Sequence, residues 1–359
     1  MQSAEGINML GIKFIKRMMK MDNNIEKSCK VWKIVVFFVP IAVILILFAL
    51  LSDTFTLSTP TKIDTSDVVS PLPISKRGVA LSNVLKVAVG AMISPEKTRD
   101  YYTDMIELVG RKIGHPVEII QAKTYEQINA QLEEKTLDFA FVCSGPYVKG
   151  RKKFGMEILV VPVAHNEKVY YSYMIASKDS TISGFDDLRG KKFAFTDPNS
   201  NTGCLVPLYM LSLRNETAES FFSAVSYTYS HDNSIKAVAE GLVDGAAVDS
   251  LIWEYLRATD PKYVSMTKIV GKSPPYGIPP IVVHPAMNTE IKKTLKNVFL
   301  NMHKDPQGAE LLKKMGIERF EEGDDKMYDS VRAMQDYLEG QIPSAMSRES
   351  QNAGKKTAP

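Results

Sequence analysis

From Ile34 to Leu51 the chain reads IVVFFVPIAVILILFALL without a single charged residue. Such a run is just long enough to cross ~30 Å of hydrocarbon as a helix. Pro40 inside it is tolerated in a membrane helix, where local adjustments re-satisfy the freed backbone groups. Upstream lie Lys13, Lys16, Arg17, Lys20, Lys27, Lys30 and Lys33. An excess of positive charge stays on the cytoplasmic side, so the C-terminal bulk is exported. Residues 34–52 therefore read as a single-pass transmembrane anchor and residues 1–33 as a cytoplasmic basic tail. Ile7, Leu10, Phe14 and Met18 among those lysines leave a choice between an amphipathic surface helix and a loose tail. The rival reading is a cleaved signal peptide. Its apolar region runs to about 7–15 residues and ends in an A-x-A-like site. Here Leu51-Ser52-Asp53-Thr54 is a poor site, and no Cys follows the run to carry a lipid.

What is exported must fold in water. The hydrophobic fraction of 45% and charged fraction of 24% over 359 residues are ordinary for a globular chain. A net charge of +3 is too small to imply nucleic acid, and no basic stripe runs through the exported part. The cysteines are Cys29, Cys143 and Cys204, none in a metal-ligand spacing such as C-x-x-C. Cys143 and Cys204 lie on the side where a disulfide is permitted. The sequence leaves open whether they pair or stay buried thiols. No metal site and no cofactor motif is read.

Residues 53–83, rich in Ser, Thr, Pro and Asp, read as a linker. From Val84 onward short apolar runs alternate with helical patterns. Helices are expected at Pro95–Ile113, with Pro at the start, and near Tyr125–Leu132, 205–213, 235–240 and 251–256. Strands are expected at 117–120, 137–142, 158–163, 170–176, 192–195, 246–248 and 281–284. The region 289–338 is mostly helical in pattern, and 341–359 is a polar, disordered tail. Repeated β-then-α order implies parallel sheets covered by helices. In such folds ligands sit beyond the carboxyl ends of strands, at helix N-termini.

Four junctions carry polar groups there. In the first, Asp197-Pro198-Asn199-Ser200-Asn201-Thr202-Gly203 separates an apolar strand from a helix expected to begin at Cys204. Unpaired N–H groups at a helix N-terminus attract oxyanions, and the Ser200 and Thr202 hydroxyls add donors. The same residue types are also the commonest helix caps. No Lys follows Gly203, so this is not a nucleotide-binding P-loop. The second is Phe141-Val142-Cys143-Ser144-Gly145-Pro146-Tyr147, where Tyr147 could face a cleft or simply pack. The third places His231 between a strand and a helix, where it could serve an anion or be structural. In the fourth, Asp249 ends the strand in Asp244-Gly245-Ala246-Ala247-Val248-Asp249, able to accept a ligand proton or to cap the next helix.

Together these stretches resemble the phosphate/phosphite/phosphonate-binding proteins of ABC transporters. That family shows D-P-x-S-x-S-G-x-L-x-P at the first junction, where this chain has Asp197 through Gly203, then Leu205 and Pro207. The D-F-A-x-x-x-x-G-P-Y run ending at Tyr147, the His-Asp-x-Ser run at His231 and the D-G-A-A-x-D run ending at Asp249 agree in order. The likeness covers roughly residues 84–340. It departs at Asn201 and Thr202, where the family often has Thr and Ser, and in the anchor.

The resemblance implies an α/β, two-lobed type II periplasmic-binding-protein fold with a ligand cleft between the lobes, here preceded by one N-terminal transmembrane helix. Lobe one would be 84–171 plus 282–340 and lobe two 172–281, joined near 170–177 and 278–284. It further implies that Ser200, Asn201 and Thr202 hold a phosphorus oxyanion and that Tyr147 and Tyr125 close on it from lobe one. His231 would donate from lobe two. Asp249 would accept a hydrogen from a protonated oxyanion or an amine group of the ligand. The chain would be a monomeric, non-catalytic receptor, tethered to a bacterial inner membrane and passing its ligand to an ABC permease. The alternative is a sensor of the same fold signalling to a separate membrane partner. An enzyme using Cys204 and His231 as nucleophile and base is disfavoured, because Cys204 falls inside the expected first helical turn and no third orienting group is evident.

Overall fold

The computed structural model describes residues 84–340, Ala91 excepted. The basic tail, the apolar run at 34–52, the linker and the polar tail at 341–359 lie outside the described residues. Among the described residues no helix is long and apolar enough to cross a membrane.

The strands in chain order are β1 (Leu85–Val89), β2 (Val117–Ile120), β3 (Phe139–Phe141), β4 (Glu157–Val163), β5 (Val169–Tyr170), β6 (Ser172–Ser177), β7 (Lys192–Phe195), β8 (Ala224–Tyr227), β9 (Gly245–Asp249), β10 (Thr267–Lys272), β11 (Tyr276–Gly277), β12 (Ile281–Val283) and β13 (Arg319–Glu321). They form two main sheets, ordered β13-β4-β12-β3-β1-β2 and β10-β6-β9-β7-β8. In the first, β1 runs parallel to β2 and β3, and β12 lies antiparallel to β3 and β4. In the second, β7 runs parallel to β8 and β9, and β6 lies antiparallel to β9. The chain leaves the first sheet through β5 and returns through β11, and these two short strands pair antiparallel with each other.

Helix-forming segments read off the sequence keep their places. Pro95–Ile113 starts on its Pro and ends on Gly114 in the left-handed region, which glycine adopts without strain. Thr289–Asn301 buries Leu295 and Phe299, four apart and so on one face. Phe299 then meets Phe139, Phe141 and Phe320 edge-on at 6.1, 6.2 and 5.2 Å. In the second sheet Phe193 stacks on Phe222 at 4.3 Å. Four strands were not placed by the sequence: β8, implied only as the strand before His231, β10, β11 and β13. Of these, β8, β10 and β13 are each an edge of a main sheet. An edge strand buries little, and all four residues of β8 are exposed, so no apolar run marks it.

The carboxyl ends of four of the parallel strands carry the four polar junctions. β3 runs into the helix Ser144–Phe154, β7 into the turn at Asp197, β8 into the helix His231–Ala239 and β9 into the helix Ser250–Thr259.

Candidate functional site

The turn after β7 winds earlier than its sequence suggests. Helical backbone starts at Asn201 rather than Cys204, as a single π-turn over Asn201–Leu205 in which the Val206 N–H reaches back to the Asn201 carbonyl. Such wide turns inside helices often mark functional sites. Ser200 caps it: its hydroxyl oxygen accepts from the Gly203 N–H at 3.0 Å. Gly203 is obligatory by space, because a Cβ there would collide with the Thr196 side chain. Gly145 is a second such point, where a Cβ would meet the Asn199 carbonyl.

The turn is fastened to helices of the first sheet. Asp197 is buried; its carboxylate accepts from the Asn199 N–H at 2.8 Å and from the Tyr125 N–H at 3.1 Å. Lys149 donates to the Asn199 side chain. Nearby, the His231 N–H donates to the Met92 carbonyl at 3.0 Å, and the Ser94 N–H to Asp232 at 2.9 Å.

Six of the sequence-derived candidates come together here. Ser200, Asn201, Thr202, Tyr125, His231 and Asp249 are all buried. The Asn201 amide nitrogen donates to the Tyr170 hydroxyl at 3.1 Å, and that hydroxyl lies 3.5 Å from the Cys143 sulfur. Ser172, the register partner of Asp249, donates to the Thr202 carbonyl. The Asp249 N–H donates to His231 Nδ1 at 3.0 Å. A backbone N–H can only donate, so Nδ1 must accept and the neutral ring carries its proton on Nε2. Burial holds this imidazole's pKa down to about 3, so it stays a neutral N–H donor at physiological pH. Asp249 Oδ1 caps the helix Ser250–Thr259, accepting from the Leu251 N–H at 2.7 Å. Burial pushes the Asp249 pKa up to about 7, against the pull of the Leu251 and Ile252 N–H groups. The Tyr125 hydroxyl is pushed well above its usual value, by burial first and then by Cys143, Asp197 and Asp249 nearby.

Nine buried side-chain polar atoms among the described residues find no hydrogen-bond partner within the protein. Six belong to this cluster: Tyr125 Oη, Thr196 Oγ1, Asn201 Oδ1, Thr202 Oγ1, His231 Nε2 and Asp249 Oδ2. Each such atom costs about 1–3 kcal/mol, and native proteins rarely concentrate that cost in one place without a use for it. Tyr125 Oη, Thr202 Oγ1 and His231 Nε2 can donate, while Asp249 Oδ2 can accept or, protonated, donate. This set suits a small oxyanion, with or without a proton of its own.

Tyr147 is not brought to this cluster, and the expectation that it closes on the anion needs correction. One turn into its helix, it faces the short 3-10 turn Asp325–Tyr328. Its hydroxyl donates to Asp325 at 2.6 Å, and Arg332 holds that carboxylate at 2.9 and 3.0 Å. Its ring packs 4.5 Å from Tyr328. Tyr170 and Thr196 were missed. Thr196 was legible in principle, as the last polar residue before the Asp197 turn. Tyr170 carries no local signal, being brought in by β5. Cys143 and Cys204 are free and buried. Burial pushes the Cys204 thiol up to about 12, the opposite of what a nucleophile needs. Among the described residues no group of three or more His, Cys, Asp or Glu could hold a metal ion.

Residues 87–328 match the family model described as ABC transporter, phosphonate, periplasmic substrate-binding protein. The phosphonates-binding periplasmic protein of Escherichia coli strain K12 is 25% identical over 246 residues, covering 67% of this chain and 72% of that one. A binding protein component of an ABC phosphonate transporter from Pseudomonas aeruginosa aligns with a TM-score of 0.67 at 21% identity, over 76% of this chain and 99% of that one. A Prochlorococcus marinus protein solved in complex with methylphosphonate aligns with a TM-score of 0.64 at 22% identity, over 71% and 98%. At these identities the solved structures speak for the fold, an α/β periplasmic-binding-protein.

Proposed function

Because the chain belongs to the family of periplasmic substrate-binding proteins of phosphonate ABC transporters, we propose that its cleft captures a phosphorus oxyanion and hands it to an ABC permease without chemical change. The observation that carries this reading is the concentration of partnerless buried polar atoms around the Asn201–Leu205 turn. In the proposed complex the N-terminal N–H groups of that turn, with Ser200, Asn201 and Thr202, hold the anion. Tyr125 Oη and His231 Nε2 donate to it. Asp249 Oδ2 accepts the hydrogen of a protonated oxyanion. Sulfate carries no such hydrogen at neutral pH, so it binds only against a bare carboxylate or with Asp249 itself protonated, and either costs part of its affinity. Tyr170 supports Asn201.

The wider arrangement is part of the proposal. Lobe one comprises 84–171 plus 282–340 and lobe two 172–281; the membership of the two sheets supports that division. Residues 34–52 tether a monomeric receptor to the inner membrane with its folded part outside the cytoplasm. The charge pattern around that run supports the tether.

The test is calorimetric titration of the full chain with phosphate, phosphite, methylphosphonate and sulfate. One-to-one binding of a phosphorus oxyanion with sulfate silent is the expected result. No heat from any of them, on folded protein freed of bound ligand, would remove the oxyanion reading.

A further inference from the structure

Beside the polar cluster lies a cavity of about 240 Å³, several times the ~30 Å³ that one water takes up in the liquid. Among the described residues Asp249 is the one member of the cluster in its wall. Apart from the tyrosines Tyr102 and Tyr255, the wall is largely apolar and comes from both sheets: Phe141, Ile278 and Pro280 with the first, Ile252 with the second, and Ile93 on the loop whose neighbour Met92 accepts the His231 N–H. Met315 also lines it. The anion's head and the cavity therefore meet at Asp249 and at the loop 92–93.

The charged groups on the wall do not invite a cationic tail. Glu254, the other carboxylate there, is paired with Arg257 at 2.6 Å and accepts from the Tyr173 hydroxyl at 3.3 Å. The remaining charged residues, Lys313 and Lys314, are exposed. An ammonium group in this space would have to take Asp249 Oδ2 from the oxyanion, displace Arg257 from Glu254 or sit unpaired among the tyrosines and hydrocarbon of the wall, and burying an unpaired charge is costly.

Resting on the oxyanion reading above, we infer that the ligand this site selects is an organophosphorus oxyanion with one uncharged, apolar substituent of several carbons, its head in the polar cluster and its substituent in the cavity. Inorganic phosphate and phosphite fill only the head. Each methylene moved from water onto this wall should tighten binding about fourfold.

The experiment titrates the full chain in detergent, with blank titrations into micelles subtracted, using phosphate, methylphosphonate, ethylphosphonate, n-butylphosphonate, phenylphosphonate and 2-aminoethylphosphonate. Affinity should climb more than tenfold from methyl to n-butyl, and ethyl should bind more tightly than 2-aminoethyl. Met315→Trp and Ile252→Trp, both on its wall, narrow the cavity. Either should take away the gain of the longer chain and leave methylphosphonate unchanged. The wild-type series decides the matter even if both variants misfold. If methylphosphonate binds while n-butyl and phenyl bind no more tightly, or if 2-aminoethyl outbinds ethyl, the inference falls and the oxyanion reading stands. If none of the six binds, the oxyanion reading itself is lost.

Discussion

Tyr125 and Tyr147 make an instructive pair. Both belong to the first turns of helices that follow first-sheet strands, both are buried to about the same degree, at 1% exposure, and both were expected to close on a ligand. Their hydroxyls have different fates. Tyr147 donates to a carboxylate already held by an arginine. Tyr125 Oη finds no partner in the protein and sits among Cys143, Asp197 and Asp249. Burial alone does not distinguish a binding group from a packing group. The accounting of hydrogen bonds does, because an unmatched buried donor costs stability that only another molecule can return.

That contrast between unmatched and matched groups can be broken by experiment, starting with the largest effect. For His231 the folded pKa, about 3, lies below an unfolded value near ~6.5. Its contribution to stability is whole above about pH 6.5 and is lost as the pH falls toward 3. For Asp249 the folded value, about 7, lies above an unfolded value near ~3.9. Its contribution is whole below about pH 4 and is lost as the pH rises through 7. In the wild type the two oppose each other between about pH 4 and 6.5. Thermal melts of ligand-free Asp249→Asn should therefore drop on acidification below about 6.5 more steeply than wild type. His231→Gln should lose stability more steeply than wild type as the pH rises from about 4 to 7. With about 1.4 kcal/mol per pH unit available to each group, the difference curves should span a few kcal/mol. Curves parallel to wild type would mean that these groups are not buried as described.

Next in size is Tyr125→Phe. It should weaken oxyanion binding by about 1.5–3 kcal/mol, the worth of a hydrogen bond to a charged group, with little loss of ligand-free stability. Ser200→Ala and Thr202→Ala should each cost about 1–3 kcal/mol of binding by the same argument. Unchanged calorimetric affinity in all three would remove the assignment of the turn. Asp249→Asn should also narrow the discrimination against sulfate in competition titrations; selectivity equal to wild type would discard the acceptor role. The smallest effect is Tyr147→Phe, which should lower the unfolding free energy by about 1 kcal/mol for one lost internal hydrogen bond and leave affinity alone. If Tyr147→Phe weakened binding and Tyr125→Phe did not, the comparison would be inverted.

Much of this was legible beforehand, and what was not has a common cause. Central strands such as β7 and β9 announce themselves because both their faces are covered, which forces runs like Phe193-Ala194-Phe195. The edges β8, β10 and β13 escaped because a strand paired on one side need not be apolar. In the site, Asp197 through Gly203 advertised a capped, Gly-containing helix start, and the π-turn arrived within a few residues of the expected position. The four junctions could be recognised because local chemistry dictates them: capping residues, a glycine where backbone or side chain approaches closely, a carboxylate at a strand end.

The amino-acid sequence thus determined most of the element order, the capped, glycine-containing turn after β7 and the family. The tertiary structure decided three further things. It turned Tyr147 toward Asp325, brought Tyr170 from β5 under Asn201, and set Asp249 at the boundary between a polar cluster and an apolar cavity. The physical reason is range. Propensity, capping and periodicity act over a few residues, whereas a side chain's hydrogen-bond partner can lie 178 positions away, as Asp325 does from Tyr147, and only the packed fold brings the two together.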